Sequence, residues 1–177
     1  MPMEVYYEKL VEHLQEAKDR FVFSPEDEGV HHIALKLYAY AHYATIRDCL
    51  GIPTDIKYEC PKGYYPFDLL VSGLSYIDPD RNIGIECISR KSYLLRPSII
   101  EEKISKAHYH LRMHDISRFE IYLEPSFETE KTLRNIADKI RTFGEFIACK
   151  VPTYRYDEFV EAAEELRFTK DLEQSLE

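Results

Sequence analysis

Tryptophan is absent from this 177-residue chain, and glycine is sparse at six residues. No glycine-rich loop and no supporting nucleophile stands beside the acids discussed below. An unrelated α/β enzyme running acid–base chemistry on those acids therefore ranks last among the functional readings. No run approaches the ~18 consecutive apolar residues needed to cross a bilayer. The segment MPMEVYYEKLVEHLQEAKDR breaks its apolar positions with charges every few residues, unlike a secretory leader. The expectation is a soluble, intracellular, cytoplasmic protein with no membrane partner. The four cysteines, Cys49, Cys60, Cys87 and Cys149, form no C-x-x-C pair, which excludes a zinc knuckle and a redox motif. They are expected to be reduced and mostly buried. Positive charge is also short, with 23 Lys and Arg against 32 Asp and Glu and a net charge of −9. That balance excludes a protein that coats nucleic acid over its whole surface. Internal repeats and low-complexity linkers are lacking too.

What is present is the composition of a folded globular protein, 45% apolar and 31% charged. The length suits one domain, expected over residues 1–170, with a frayed charged tail at 171–177. Charge is segregated along the chain. Between residues 89 and 118, Arg90, Lys91, Arg96, Lys103, Lys106, Arg112 and Arg118 face only Glu101, Glu102 and Asp115. This stretch is either a solvated helix face or a local patch for a polyanion.

Hydrophobic periodicity sets out the elements. Residues 5–20 read as a short amphipathic helix. Ser24-Pro25-Glu26-Asp27 reads as a helix start, with serine as N-cap, proline in the first turn and acids after it. From Pro25 to about Leu50 one apolar stripe runs through Val30, Ile33, Ala34, Leu37, Ala41 and Ala44. A second runs through Leu35, Ala39 and Ile46, and a helix apolar on two faces is buried between layers. Gly51 and Pro53 end it. Strand-like runs follow at 54–60, 65–72 and 82–89, joined by turn signals at Pro61-Lys62-Gly63 and Asp78-Pro79-Asp80. A helix from Pro97 carries Ile100, Ile104, Ala107 and Leu111 on one face. A strand at 119–123, a helix at about 128–143, a strand at 146–151 and a last helix at 157–168 complete the chain. The order ααβββαβαβα implies an α/β fold, a mixed central sheet made of a three-stranded meander plus crossover strands and flanked by helices.

Two of these strands carry an acid among apolar neighbours: Asp68 in Tyr65-Pro66-Phe67-Asp68-Leu69-Leu70-Val71, and Glu86 in Ile83-Gly84-Ile85-Glu86-Cys87-Ile88. An ionised carboxylate in an apolar strand is costly unless paired or metal-bound. Two such acids on neighbouring strands can converge on one ion that prefers hard oxygen, such as Mg²⁺ or Mn²⁺. The bland alternative places each acid at a strand end against water or an arginine. Glu59, closing the first strand, is expected at a solvent-exposed end. Tyr38, Tyr40, Tyr43, Tyr64 and Tyr65 are core or rim residues, or bases' stacking partners.

Helix, strand, strand with P-x-D, strand with an acid, then helix resembles the PD-(D/E)XK nuclease superfamily over residues 25–123. Pro66-Phe67-Asp68 resembles the first half of its motif and Glu86-Cys87-Ile88 the second. The resemblance implies a restriction-endonuclease-like fold, Mg²⁺ (or Mn²⁺) held by Asp68 and Glu86, and hydrolysis of nucleic acid, in the first instance DNA. It also implies a lysine two residues after the second acid, where this chain has Ile88. Arg90, Lys91 and Lys103 are candidates for the missing cation. Arginine is the poorer choice because it cannot give up a proton. At about 100° per residue Lys103 lies about 70° from the centre of its helix's apolar stripe. From that edge a lysine can reach back toward the sheet. Lysines moved to this helix also occur in the superfamily, and Lys103 is the first choice.

Glu28-Gly29-Val30-His31-His32, followed by Leu35-Lys36, resembles an E-x-x-x-H-x-x-L-K arrangement of some members, which makes Glu28 a catalytic candidate with Glu26 as its rival. Arg90, Lys91, Arg96, Lys106 and Arg112 would meet the nucleic acid backbone. Homodimerisation is a further expectation, because many such folds pair to cut two strands. The rival from a different class is a catalytically inactive nucleic-acid-binding or protein-interaction module on the same fold.

Overall fold

The structure, a computed structural model, describes residues 2–62, 65–74, 81–127, 131, 134 and 145–176, and for 61, 62 and 65 it describes the backbone alone. The turn Asp78-Pro79-Asp80, Gly63, Tyr64, the Tyr65 side chain and most of the helix expected at 128–143 lie outside this set.

The described residues form a five-stranded mixed sheet in the order β1-β2-β3-β4-β5. Its strands are β1 Asp55–Lys62, β2 Tyr65–Ser72, β3 Asn82–Ile88, β4 Arg118–Leu123 and β5 Glu145–Lys150. β1, β2 and β3 are an antiparallel meander, and β4 and β5 add in parallel to β3. The helices are α1 Met3–Glu12, α2 Leu14–Asp19, α3 Val30–Leu50, α4 Arg90–Leu95, α5 Ile99–Arg112 and α6 Tyr156–Ser175. The α/β class, the mixed sheet and the flanking helices agree with the sequence pattern. None of the described helices is long and apolar enough to cross a membrane.

Each face of the sheet has its own core. Leu69, Val71, Ile83, Ile85, Cys87 and Tyr122 pack with α3 and α6, whereas Leu70, Ile88, Phe119, Ile121 and Leu123 pack with Ile100, Ile104, Ala107 and Leu111 of α5. Helix α3 buries both of its apolar stripes, one layer lying between it and the sheet and another between it and α1, α2 and α6. Tyr38, Tyr40 and Tyr43 are core residues of this layer.

Four local expectations are corrected. The helix expected from Pro25 begins at Val30 with Gly29 as its N-cap. Residues 22–28 are instead held as a loop, because the Glu28 carboxylate turns inward to accept the Ser24 N–H and the Lys36 ammonium donates to the Val22 carbonyl. The first helix is two, divided at His13, whose ring bonds Lys9 O and Asp48. The last helix, expected to end at about 168, runs on to Ser175. Its distal half is anchored by Arg167 donating to Glu28 O at 3.0 Å and by Lys170 lying over the Phe23 ring. Finally, all four cysteines are free, but only Cys87 is buried and Cys49 is exposed.

Candidate active site

The ladder between β2 and β3 runs from Ser72↔Asn82 to Leu69↔Ile85. Beyond it, Asp68 Oδ2 accepts the Cys87 N–H at 2.7 Å, so a side-chain carboxylate stands where a strand carbonyl would continue the ladder. Regular alternation also breaks here. Phe67 packs with the α5-side core and Leu69, two residues on, with the α3-side core. On the other flank β1 skips the Glu59–Asp68 pair, with Glu59 at φ +48°. Phe67 lies over Gly84, whose missing side chain makes room for the ring. The result is an irregular fork in the sheet, with acids in it that two helices neutralise from opposite sides.

From the α3 side, His32 donates through Nε2 to Asp68 at 3.3 Å and through Nδ1 to Glu28 at 2.8 Å. An imidazole that donates from both nitrogens is the charged form. Burial would lower its pKa, but the Asp68 and Glu28 carboxylates overcome this and push it up to about 10. Lys36, fully buried, donates to Glu28 at 2.8 Å, to Glu59 at 2.6 Å and to Val22 O at 3.0 Å. Burial opposes its charge as well, and Glu28, Asp68 and Glu59 together raise its pKa. Glu59 is therefore no exposed strand end: its carboxyl is enclosed against Lys36, and burial raises its pKa despite that ammonium.

From the α5 side, Lys103 donates to Glu86 Oε2 at 2.8 Å, and Lys106 donates to Glu86 Oε1 and to Pro66 O. Glu86 is almost wholly buried. Burial and the Asp68 charge raise its pKa, while the two ammonium groups pull it down. Asp68 is held well below the ordinary carboxylate range, because His32, Lys103 and Lys36 outweigh the effect of its burial. Four acids, Glu28, Glu59, Asp68 and Glu86, thus face four cations, His32, Lys36, Lys103 and Lys106.

Among the sequence candidates, Glu28, Asp68, Glu86 and Lys103 belong to this one network. Glu26 is exposed and stands outside it. Lys106, expected on the polyanion-facing surface, points inward to Glu86. Arg90, Lys91, Arg96 and Arg112 are exposed, with Arg96 paired to Glu102 at 3.1 Å. Sequence reasoning assigned no role to Lys36 and placed Lys106 on the nucleic-acid-binding surface. Their signals were spacing: Glu28, His32 and Lys36 recur every four residues from the loop before α3 into the helix, and Lys106 is one turn beyond Lys103. Another buried acid, Glu120 on β4, is accounted for structurally by Tyr43, Tyr122 and Arg118.

Among the described residues no three or more His, Cys, Asp or Glu side chains converge as a metal-binding set. The donor chemistry of Asp68 with Glu86 still suits Mg²⁺, which one or two carboxylates can hold while its own waters and a phosphate fill the remaining positions. No protein-family model, curated protein or solved structure matches this chain.

Proposed function

We propose that this chain is a metal-dependent nuclease of restriction-endonuclease-like architecture that hydrolyses DNA phosphodiester bonds at the β2–β3 fork. The observation that carries the reading is the Lys103 ammonium on Glu86, reached from α5 where Ile88 leaves the strand without a cation. Asp68 and Glu86 are the residues that would hold Mg²⁺ or Mn²⁺. Bound there, the ion would polarise the phosphate and lower the pKa of its water. Lys103 then orients the attacking water and stabilises charge developing on the phosphate, a preorganised electrostatic role. Lys106 shares Glu86 with Lys103, so one ammonium can turn to the phosphate while the other keeps the buried carboxylate paired. Glu28 and Lys36 hold His32 and, through it, Asp68. The exposed Arg90, Lys91, Arg96 and Arg112 meet the DNA backbone.

A second reading, a binding module without chemistry, is favoured by one specific observation: both oxygens of Glu86 already have lysine partners within the chain. Cleavage assays with Mg²⁺ and with Mn²⁺ on single-stranded, duplex and branched DNA separate the two. The nuclease reading expects Lys103→Ala and Asp68→Ala each to lose about 10²-fold or more in rate, and Lys91→Ala to keep most activity. Wild-type protein that cleaves none of these substrates with either ion would refute the reading.

A further inference from the structure

Beside the fork stands a second built arrangement that the nuclease reading leaves unused. Glu124 follows directly on β4, and the register Ile88↔Leu123 places it just beyond the end of β3. The residue is only 4% exposed. One oxygen, Oε1, is fixed by the Arg90 N–H at 3.0 Å and the Ser126 hydroxyl at 2.8 Å. The other, Oε2, makes no hydrogen bond among the described residues and lies 3.1 Å from Nδ1 of His31. The Tyr156 hydroxyl lies 3.0 Å from the same nitrogen, and the two rings stack at 5.9 Å. The His31 side chain itself is half exposed.

The Tyr156 hydroxyl, hydrogen-bonded to Nδ1, and the buried Glu124 carboxylate beside that nitrogen fix the direction of the ring. Nε2, across the ring from both, is left to act on something outside. The location is also right. His31 adjoins His32, which touches Asp68, and Glu124 sits at the C-terminal edge of two parallel strands, where α/β proteins place their ligands. Glu124 also bonds the first residue of α4, the segment that leaves β3 just past Glu86. A purely structural ion pair would leave no reason for a half-exposed ring to be gripped from its inner side by two buried groups.

We propose that His31 is the proton donor to the leaving oxygen in phosphodiester hydrolysis, with Glu124 and Tyr156 as its positioning residues. The inference rests on the nuclease reading above. Water attacks phosphorus and gives up a proton to solvent. The bond from phosphorus to the leaving oxygen breaks with its electron pair on that oxygen, which takes the proton from His31 Nε2. The neutral imidazole, its Nδ1 still held by the Tyr156 hydroxyl, regains a proton from solvent.

The test uses three matched DNA duplexes in saturating Mg²⁺: one unmodified, one with sulfur in place of a 3′-bridging oxygen, and one with sulfur in place of a 5′-bridging oxygen. A thiolate leaves without help from an acid. His31→Ala should therefore be slowed about 10²-fold or more on unmodified DNA, yet fall within a few-fold of wild type on the duplex whose leaving atom is sulfur. Glu124→Gln should show a smaller loss, relieved on the same duplex. Lys103→Ala should be slow on all three. If His31→Ala matches wild type on unmodified DNA, or is slowed equally on every duplex, the proton-donor role is overturned while the nuclease reading stands. If wild type cleaves none of them, both fall together.

Discussion

Lys36→Met removes a positive charge from the most enclosed part of the protein. The wild-type ammonium is fully buried, bridges the Glu28 and Glu59 carboxylates at 2.8 and 2.6 Å, and lies 4.7 Å from the centre of the Phe21 ring. Methionine has similar length, so little cavity forms and the loss isolates the charge. Glu28 keeps His32 and the Ser24 N–H, but among the described residues Glu59 is left facing the repulsion of Glu28 and Asp68. Removing one partner of a buried ion pair costs about 3–5 kcal/mol, mostly because the other charge is left uncompensated. For a chain of this size that corresponds to a Tm about 6–20 °C lower. With no tryptophan to report, unfolding in urea is best followed by far-UV circular dichroism. Lys36→Met/Glu59→Gln should recover a large part of the loss, since the amide needs no counter-ion. If Lys36→Met stays within about 1 kcal/mol of wild type, Lys36 is not the electrostatic centre of the network.

His32 should make stability depend on pH above neutrality. A group whose folded pKa is raised from 6.5 to about 10 contributes fully below pH 6.5 and loses that contribution as pH rises toward 10, with a ceiling of ~5 kcal/mol. Urea midpoints should fall over this range in wild type and fall less in His32→Asn; parallel profiles would remove His32 from the account. Gly84→Ala should cost about 1–3 kcal/mol by overpacking, because the new Cβ would lie 2.8 Å from the buried Phe67 ring, and a wild-type urea midpoint would contradict that packing. DNA affinity should drop steeply with salt, and Arg96→Ala or Arg112→Ala should each make the slope of log K against log salt shallower by about one. Salt-independent binding, or none, would instead favour a protein partner for this face.

Much of the architecture was legible in the chain itself. Strand runs at 54–60, 65–72 and 82–89 fall within a residue or two of β1, β2 and β3, and both stripes of α3 are buried as periodicity implies. Apolar periodicity is a local signal repeated over many residues, so each element announces itself without its neighbours. The same holds for Asp68 and Glu86, conspicuous as single charges in apolar strands, and for the helical phase that turns Lys103 toward the sheet. The tertiary structure alone decided how those charges are compensated. It turned Glu28 inward, enclosed Glu59, drew Lys106 from the surface to Glu86 and recruited a fully buried Lys36, while Arg167 and Lys170 carried α6 past the point where its apolar pattern fades. These pairings join residues from 8 positions apart, Glu28 and Lys36, to 147, Phe23 and Lys170. They depend on strand register, on the break in alternation at Asp68 and on which helix covers which face. A charge announces only that it needs a partner, and packing chooses the partner.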